Sequence, residues 1–301
     1  MEPIKELADF ANELGCLVQH DVPMSMLTTF RVGGPADFVI TPNSIANVQE
    51  ICRFANANSI KPIIIGNGSN LLVSDSGING IVLKMTGPMN KISVDSNVIT
   101  AQSGATLSKL CCVALENSLS GLEFAYGIPG SVGGAVYMNA GAYGGEISQV
   151  ISECTHITPD GEIETVPVSK LELGYRESFY TRNPGYIILE SKFNLIPDTK
   201  ENIQSKMDIN ITARKEKQPL EFPSAGSIFK RPVGYFAGKL IEDCNLKGVR
   251  IGDAQVSEKH AGFIINKGNA TQKEISELIK LIQDTVFAKY GVLLESEVKF
   301  I

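Results

Sequence analysis

The chain has no tryptophan, only three histidines (His20, His156 and His260), and no CxxC pair among its six cysteines. Each shortage excludes a class of chemistry. Cys16, Cys52, Cys111, Cys112, Cys154 and Cys244 show no Cys/His spacing that suits zinc, so they read as reduced, small apolar residues and no metal is expected. No window approaches ~18 uninterrupted apolar residues, which excludes a helical membrane span. The start, MEPIKELADFANELG, is an amphipathic helical pattern with acids in it, unlike the basic end and apolar run of a signal peptide, and a cytoplasmic location is expected. The formal charge of -6 comes without a long basic run, so neither nucleic acid nor an anionic membrane is an expected partner. There is no GK[ST] for a P-loop and no G-x-S-x-G for a hydrolase nucleophile.

What the chain does contain is a globular composition, 43% hydrophobic and 20% charged over 301 residues, long enough for two or three compact units. Helical spacing places Ile45, Val48, Ile51, Cys52 and Ala55 on one face behind a Ser44 cap, and Leu107, Leu110, Cys111, Ala114 and Leu115 on another. The strongest helix lies near the end, with a capping box at Thr271 and Glu274, a stripe from Ile275 to Val286, and a stop at Gly291. Between these lie β-type runs: FVIT, KPIIIG, IVLKM, VITAQSG, IILESKFNLI, HAGFIIN and the terminal VLLESEVKFI. Strands and helices mix without βαβ alternation, which predicts an α+β fold with more than one sheet. A domain boundary is expected in ARKEKQPLEFPSAG, where a helix ends and prolines begin.

Two glycine loops stand out. In KPIIIGNGSNLLV a buried-type strand runs straight into Gly66, Asn67, Gly68, Ser69 and Asn70. Such a loop can cradle phosphate oxygens with main-chain N–H groups, or it can be a tight hairpin turn. The second loop carries Gly127, Gly130, Gly133, Gly134, Gly141, Gly144 and Gly145 within 126–146. Ordering that many glycines costs roughly 0.5–1 kcal/mol each relative to alanine, too much for a mere connection. Together the loops suggest a nucleotide or dinucleotide cofactor held largely by main chain, with Asn139 supplying a short amide beside them.

Three polar residues invite chemistry and leave alternatives open. Ser227, in PSAGSIFKRP, is a nucleophile, a cap or turn residue, or something else; only His260 could serve it as base. Arg176, in GYRESFY, is either a carboxylate clamp or the surface partner of Glu172 or Glu177. The terminal strand VLLESEVKFI alternates, so Leu293, Glu295, Glu297, Lys299 and Ile301 share one face, and its two acids, Glu295 and Glu297, are a solvated face or a functional site. Arg214, Lys215, Lys217, Lys230 and Arg231 flank PSAG and could meet an anionic ligand or solvent.

IPGSVGGAVYMNAGAYG, with GNGSNLLV, YRESFY, AGSIFKRP, HAGFIIN and LESEVKFI, resembles the UDP-N-acetylenolpyruvoylglucosamine reductase family of flavoproteins, from TTFRVGG to the C-terminus. The resemblance implies a two-subdomain FAD-binding fold of the vanillyl-alcohol-oxidase type plus a smaller α+β substrate-binding domain, read here as 1–95, 96–213 and 214–301. It implies FAD as cofactor, and NADPH and UDP-N-acetylglucosamine enolpyruvate as partners of a monomer or weak oligomer. It assigns Ser227 as proton donor, Arg176 as carboxylate partner, and Glu297 as the acid that helps it, with a raised pKa. Gly66–Asn70, Gly127, Pro129, Gly130, Ser131, Gly133, Gly134, Asn139, Gly141 and Arg214 are its expected cofactor contacts, and Lys217 and Lys230 its expected contacts to substrate. The short interval between YRESFYTRN and IILESKF matches the branch without an inserted tyrosine-bearing loop. A flavin oxidase acting on an alcohol or sugar, and a non-catalytic nucleotide-sugar binding protein, are the competing readings.

Overall fold

A computed structural model describes residues 2–301, and several of its helices begin where the sequence supplies a capping side chain. There are eight α-helices among the described residues: α1 (Glu2–Glu13), α2 (Ile45–Ala57), α3 (Leu107–Glu116), α4 (Val132–Tyr137), α5 (Phe179–Arg182), α6 (Lys200–Lys217), α7 (Ala237–Asp243) and α8 (Gln272–Tyr290). Ser44 accepts from the Asn47 N–H at the start of α2, and Thr106 does the same for Lys109 at α3. α8 has both halves of its capping box and ends at Gly291 with φ +66°, the left-handed conformation that glycine adopts without a Cβ penalty.

Contacts divide the chain into two units. The first contains the residues up to His20, Asp37–Asn67 and Gly80–Thr212. Its larger sheet is antiparallel, with strands in the order Ile163–Pro167, Ile151–Ile157, Ile187–Asn194, Val98–Gln102 and Ile92–Asp95. Ile99, Ala101 and Phe193 from this sheet join Leu107, Leu110 and Ala114 of α3 and Val132 and Val136 of α4 in one core. A four-stranded sheet follows the order Leu17–Pro23, Pro35–Thr41, Ile78–Lys84 and Ile63–Ile65, the last pair parallel. Leu7 and Ala11 of α1 and Val48, Ile51 and Ala55 of α2 pack with Ile40, Ile81 and Leu83 from it.

The second unit joins Asp21–Ala36, Gly68–Asn79 and Ala213–Ile301. Its three-stranded antiparallel sheet, Arg250–Ile251, Ala254–Val256 and Ile264–Asn266, shares a core with Leu240 and Ile241 of α7. Ile275, Leu278, Ile279, Ile282 and Val286, the stripe read from the sequence, are the α8 side of that core.

Two expectations need correction. The terminal VLLESEVKFI is not one strand: only Lys299–Phe300 is, paired in parallel with Leu71–Leu72. The chain changes partner along the way. Glu295 O accepts from the Lys230 N–H and the Glu297 N–H donates to Ile228 O, but the Lys299 N–H donates to Asn70 O. No single ladder therefore runs through the segment, although Leu293 is exposed and its neighbour Leu294 is buried, as alternation would place them. The second glycine loop, in turn, is not all loop. It contains α4, whose N-cap Ser131 accepts from the Gly134 N–H. Gly133 and Gly134 disfavour a helix, and this one is held by packing: a Cβ on Gly133 would lie 2.8 Å from Ser103 Cβ.

Candidate active site

The strand Ile63–Ile65 delivers Gly66 against the second glycine loop. A Cβ at Gly66 would lie 2.1 Å from Ser131 Oγ, and the Asn67 amide donates to Pro129 O at 3.1 Å. The two loops therefore meet. The main-chain N–H groups of Asn67, Gly68, Ser69 and Asn70 donate to no acceptor among the described residues, nor do those of Gly130 and Ser131. Gly68 (φ +62°) and Gly127 (φ +94°) occupy the left-handed region at the turns. Within the first unit the unspent N–H groups of Asn67, Gly130 and Ser131 suit the oxygens of a diphosphate.

Ser103 belongs to this constellation and was not singled out from the sequence. It is 2% exposed, and its hydroxyl has no hydrogen-bond partner among the described residues. Its carbonyl accepts from the Gly133 N–H at 2.8 Å, which sets it beside the start of α4. A buried hydroxyl without a partner costs about 1–3 kcal/mol, so its presence here fits a polar ligand group at the loops. The only sequence signal was an SGAT turn after the strand Val98–Gln102. The residues present thus fit a flavin dinucleotide.

Other expected contacts are placed differently. Asn139 is fully buried; its Nδ2 donates to Gly174 O at 2.9 Å and its Oδ1 accepts from the Ser148 N–H at 2.9 Å. Its amide holds two stretches of chain and presents no surface to a cofactor. Gly141 lies beside the other candidate, since its carbonyl accepts from Arg176 Nη2 at 3.0 Å. Arg176 is half-buried with φ +58°, an uncommon conformation for a side chain with a Cβ, and its guanidinium is 5.1 Å from the Tyr175 ring centre. The carboxylates of Glu172 and Glu177 both pair with Arg182, at 2.6 and 3.3 Å.

In the second unit the segment of Ser227 lies between two others. Ser227 bridges Phe263, and the Ile228 N–H donates to Gly262 O at 2.9 Å. On the other side Phe229 bridges Ser296, and the Glu297 N–H donates to Ile228 O at 2.7 Å. Asn70 Nδ2 donates to Glu297 O at 3.1 Å, tying in the end of the first glycine loop. Of the three roles open for Ser227, two lose their support. It begins no helix, and its hydroxyl bonds to no imidazole among the described residues. His260 Nδ1 accepts from the Gly262 N–H at 3.1 Å, and burial lowers its pKa.

The cations around PSAG do not form one cluster. Arg214 is nearly buried on α6, Lys217 is exposed at the end of that helix, and Lys215 O accepts from Lys259 Nζ. Lys230 pairs with Glu295, and the Arg231 guanidinium lies 4.1 Å from the Phe236 ring centre. Among the described residues no cluster of His, Cys, Asp and Glu could hold a metal, and no helix is long and apolar enough to cross a membrane.

The sequence pattern of the FAD binding domain family matches residues 36–167, and that of the UDP-N-acetylenolpyruvoylglucosamine reductase C-terminal domain matches 218–301. The UDP-N-acetylenolpyruvoylglucosamine reductase of Agathobacter rectalis is 49% identical over 310 residues, covering 99% of this chain and 98% of that one. The enzyme of the same name from Clostridium tetani is 52% identical, covering 91% of this chain and 89% of its own. This chain belongs to the UDP-N-acetylenolpyruvoylglucosamine reductase family. The crystal structure of the Thermus caldophilus reductase of this family is 35% identical and superposes with a TM-score of 0.83, covering 95% of this chain and 99% of that one. An α+β FAD-binding fold with a second, smaller α+β part is thereby the fold of this family member.

Proposed function

We propose that the protein reduces UDP-N-acetylglucosamine enolpyruvate to UDP-N-acetylmuramate with NADPH, using FAD, as a step in peptidoglycan precursor synthesis. Kinship along almost the whole chain supports the reaction. The observation that carries the chemistry is the main-chain pairing of the AGSIF and LESEV segments, in which the Glu297 N–H donates to Ile228 O, so that Ser227 and Glu297 lie on adjoining stretches of one unit. Asn67–Asn70, Gly127, Pro129, Gly130, Ser131, Gly133, Gly134, Ser103 and Arg214 would hold the cofactor. A flavin held there would supply hydride transfer between NADPH and the enolpyruvyl group.

The protein's own residues handle the rest. Charge builds on the substrate carboxylate as the hydride arrives, and the Arg176 guanidinium grips it through two parallel N–H donors. Glu297, carrying a proton, adds a third donor to that carboxylate; beside negative charge a protonated acid is the useful form. Ser227 gives its proton to the ether-bearing carbon. A hydroxyl is a weak acid, but the enediolate is a strong base, and a fixed donor suffices. Lys217 and Lys230 are assigned to the diphosphate end of the substrate. The protein works as a monomer or weak oligomer in the cytoplasm.

Ser227→Ala separates this reaction from mere nucleotide-sugar binding. The variant should keep flavin reduction by NADPH within about 3-fold and lose roughly 10²–10⁴ in flavin reoxidation by substrate, the range of a general-acid contribution. A variant that reoxidises at the wild-type rate would remove Ser227 from the mechanism.

A further inference from the structure

We propose that Asn139 and Ser178 are positioning residues for Arg176, pinning both ends of its turn to the second glycine loop. The inference rests on the assignment of Arg176 as carboxylate partner. Arg176 sits in a short turn closed by the bridge between Gly174 and Glu177, where the Gly174 N–H donates to Glu177 O at 3.0 Å. Its φ of +58° is unfavourable for a residue with a Cβ and persists only where the surroundings enforce it.

Two buried side chains enforce it. Ahead of Arg176, Gly174 O accepts from Asn139 Nδ2 at 2.9 Å; after it, Ser178 Oγ donates to Tyr137 O at 2.7 Å. Both anchors are fully buried. Both reach the same place, because Tyr137 ends α4 and Asn139 lies two residues beyond. Arg176 Nη2 adds a third tie, to Gly141 O, in the same stretch. Asn139 is itself at φ +41° and its Oδ1 is fixed by the Ser148 N–H, so it is not free to turn away. The residue that holds a glycine loop in shape also aims the guanidinium. Flavin-loop geometry and carboxylate geometry are thereby set by one piece of structure.

Asn139→Asp isolates the effect, since the carboxylate still accepts from Ser148 but cannot donate to Gly174 O; Ser178→Ala cuts the other end and carries the test if the buried acid prevents folding. Three readings are taken on the flavin-loaded protein: single-turnover flavin reduction by NADPH, single-turnover reoxidation by UDP-N-acetylglucosamine enolpyruvate, and amide hydrogen exchange of 172–178. The expected result is reoxidation slowed about 10- to 100-fold, as a misplacement on the order of 1 Å produces, with NADPH reduction within about 2-fold. Exchange in 172–178 rises while that of the strand Ile187–Asn194 stays unchanged. Parallel loss in both half-reactions, or unchanged reoxidation in a folded variant, overturns the proposal. If the wild-type reduced flavin is not reoxidised by the sugar nucleotide, the functional reading fails instead, and the exchange of 172–178 still decides whether the anchors hold the turn.

Discussion

Single residues divide by whether their signal was chemical or spatial. Ser227, Arg176 and Glu297 could be named from short motifs because their neighbours in sequence carried the resemblance. Ser103 could not be read this way, and Asn139 was read only as a cofactor contact. The orphaned hydroxyl of the first depends on burial, and the role of the second depends on Gly174 and Ser148, which are distant in sequence. His156 is another residue whose behaviour is set in space. It is 3% exposed, with Nδ1 2.9 Å from the Tyr180 hydroxyl, and that hydroxyl donates to Cys154 Sγ at 3.1 Å. Burial lowers the His156 pKa from 6.5, against a smaller opposing effect of Glu164, and pushes the Cys154 thiol up to about 11. The unfolded chain then takes up a proton at His156 before the folded protein does. Its stability contribution is complete above pH 6.5 and is lost as pH falls from there through the lowered folded value. Thermal unfolding from pH 7.5 to 5 should show the midpoint falling with acid, and His156→Gln should make that slope shallower; an equal slope would contradict the assignment.

Elements were legible where one signal dominated. α8 has a full capping box, a five-residue buried stripe and a left-handed glycine, all local, and it forms where the sequence put it. α4 was hidden because its glycines oppose a helix, and its six residues are held helical by the Ser131 cap, the burial of Val132 and Val136, and the close approach of Gly133 to Ser103. The terminal segment misled for the opposite reason: its apolar alternation is real, but pairing passes from Ile228 to Asn70 within three residues. Close approach between elements also carries a prediction. Gly66→Ala would force a Cβ to within 2.1 Å of the Ser131 hydroxyl that caps α4, so one of the two loops must shift. Loss of the cap alone costs roughly 1 kcal/mol. Flavin bound per chain, read from the visible absorbance of the purified protein, should fall well below the wild-type ratio. Full occupancy with an unchanged melting temperature would show that the loops do not need their close contact.

At the scale of the whole molecule, α+β mixing was readable from pattern and composition. The assembly of a unit from three separated segments was not, because periodicity reports neighbours along the chain and says nothing of Asp21–Ala36 and Gly68–Asn79 joining Ala213–Ile301. The chain passes from one unit to the other between Asn67 and Gly68, inside the first glycine loop. A ligand that binds only the folded chain should stabilise it by about 2.7 kcal/mol at a hundredfold excess over its dissociation constant. The account stands most directly on an anaerobic titration of the purified protein followed in the visible spectrum. It predicts a flavin spectrum that one equivalent of NADPH bleaches and one equivalent of UDP-N-acetylglucosamine enolpyruvate restores, with UDP-N-acetylmuramate as product. A colourless protein, or a reduced flavin that the enolpyruvyl sugar nucleotide leaves bleached, would contradict it.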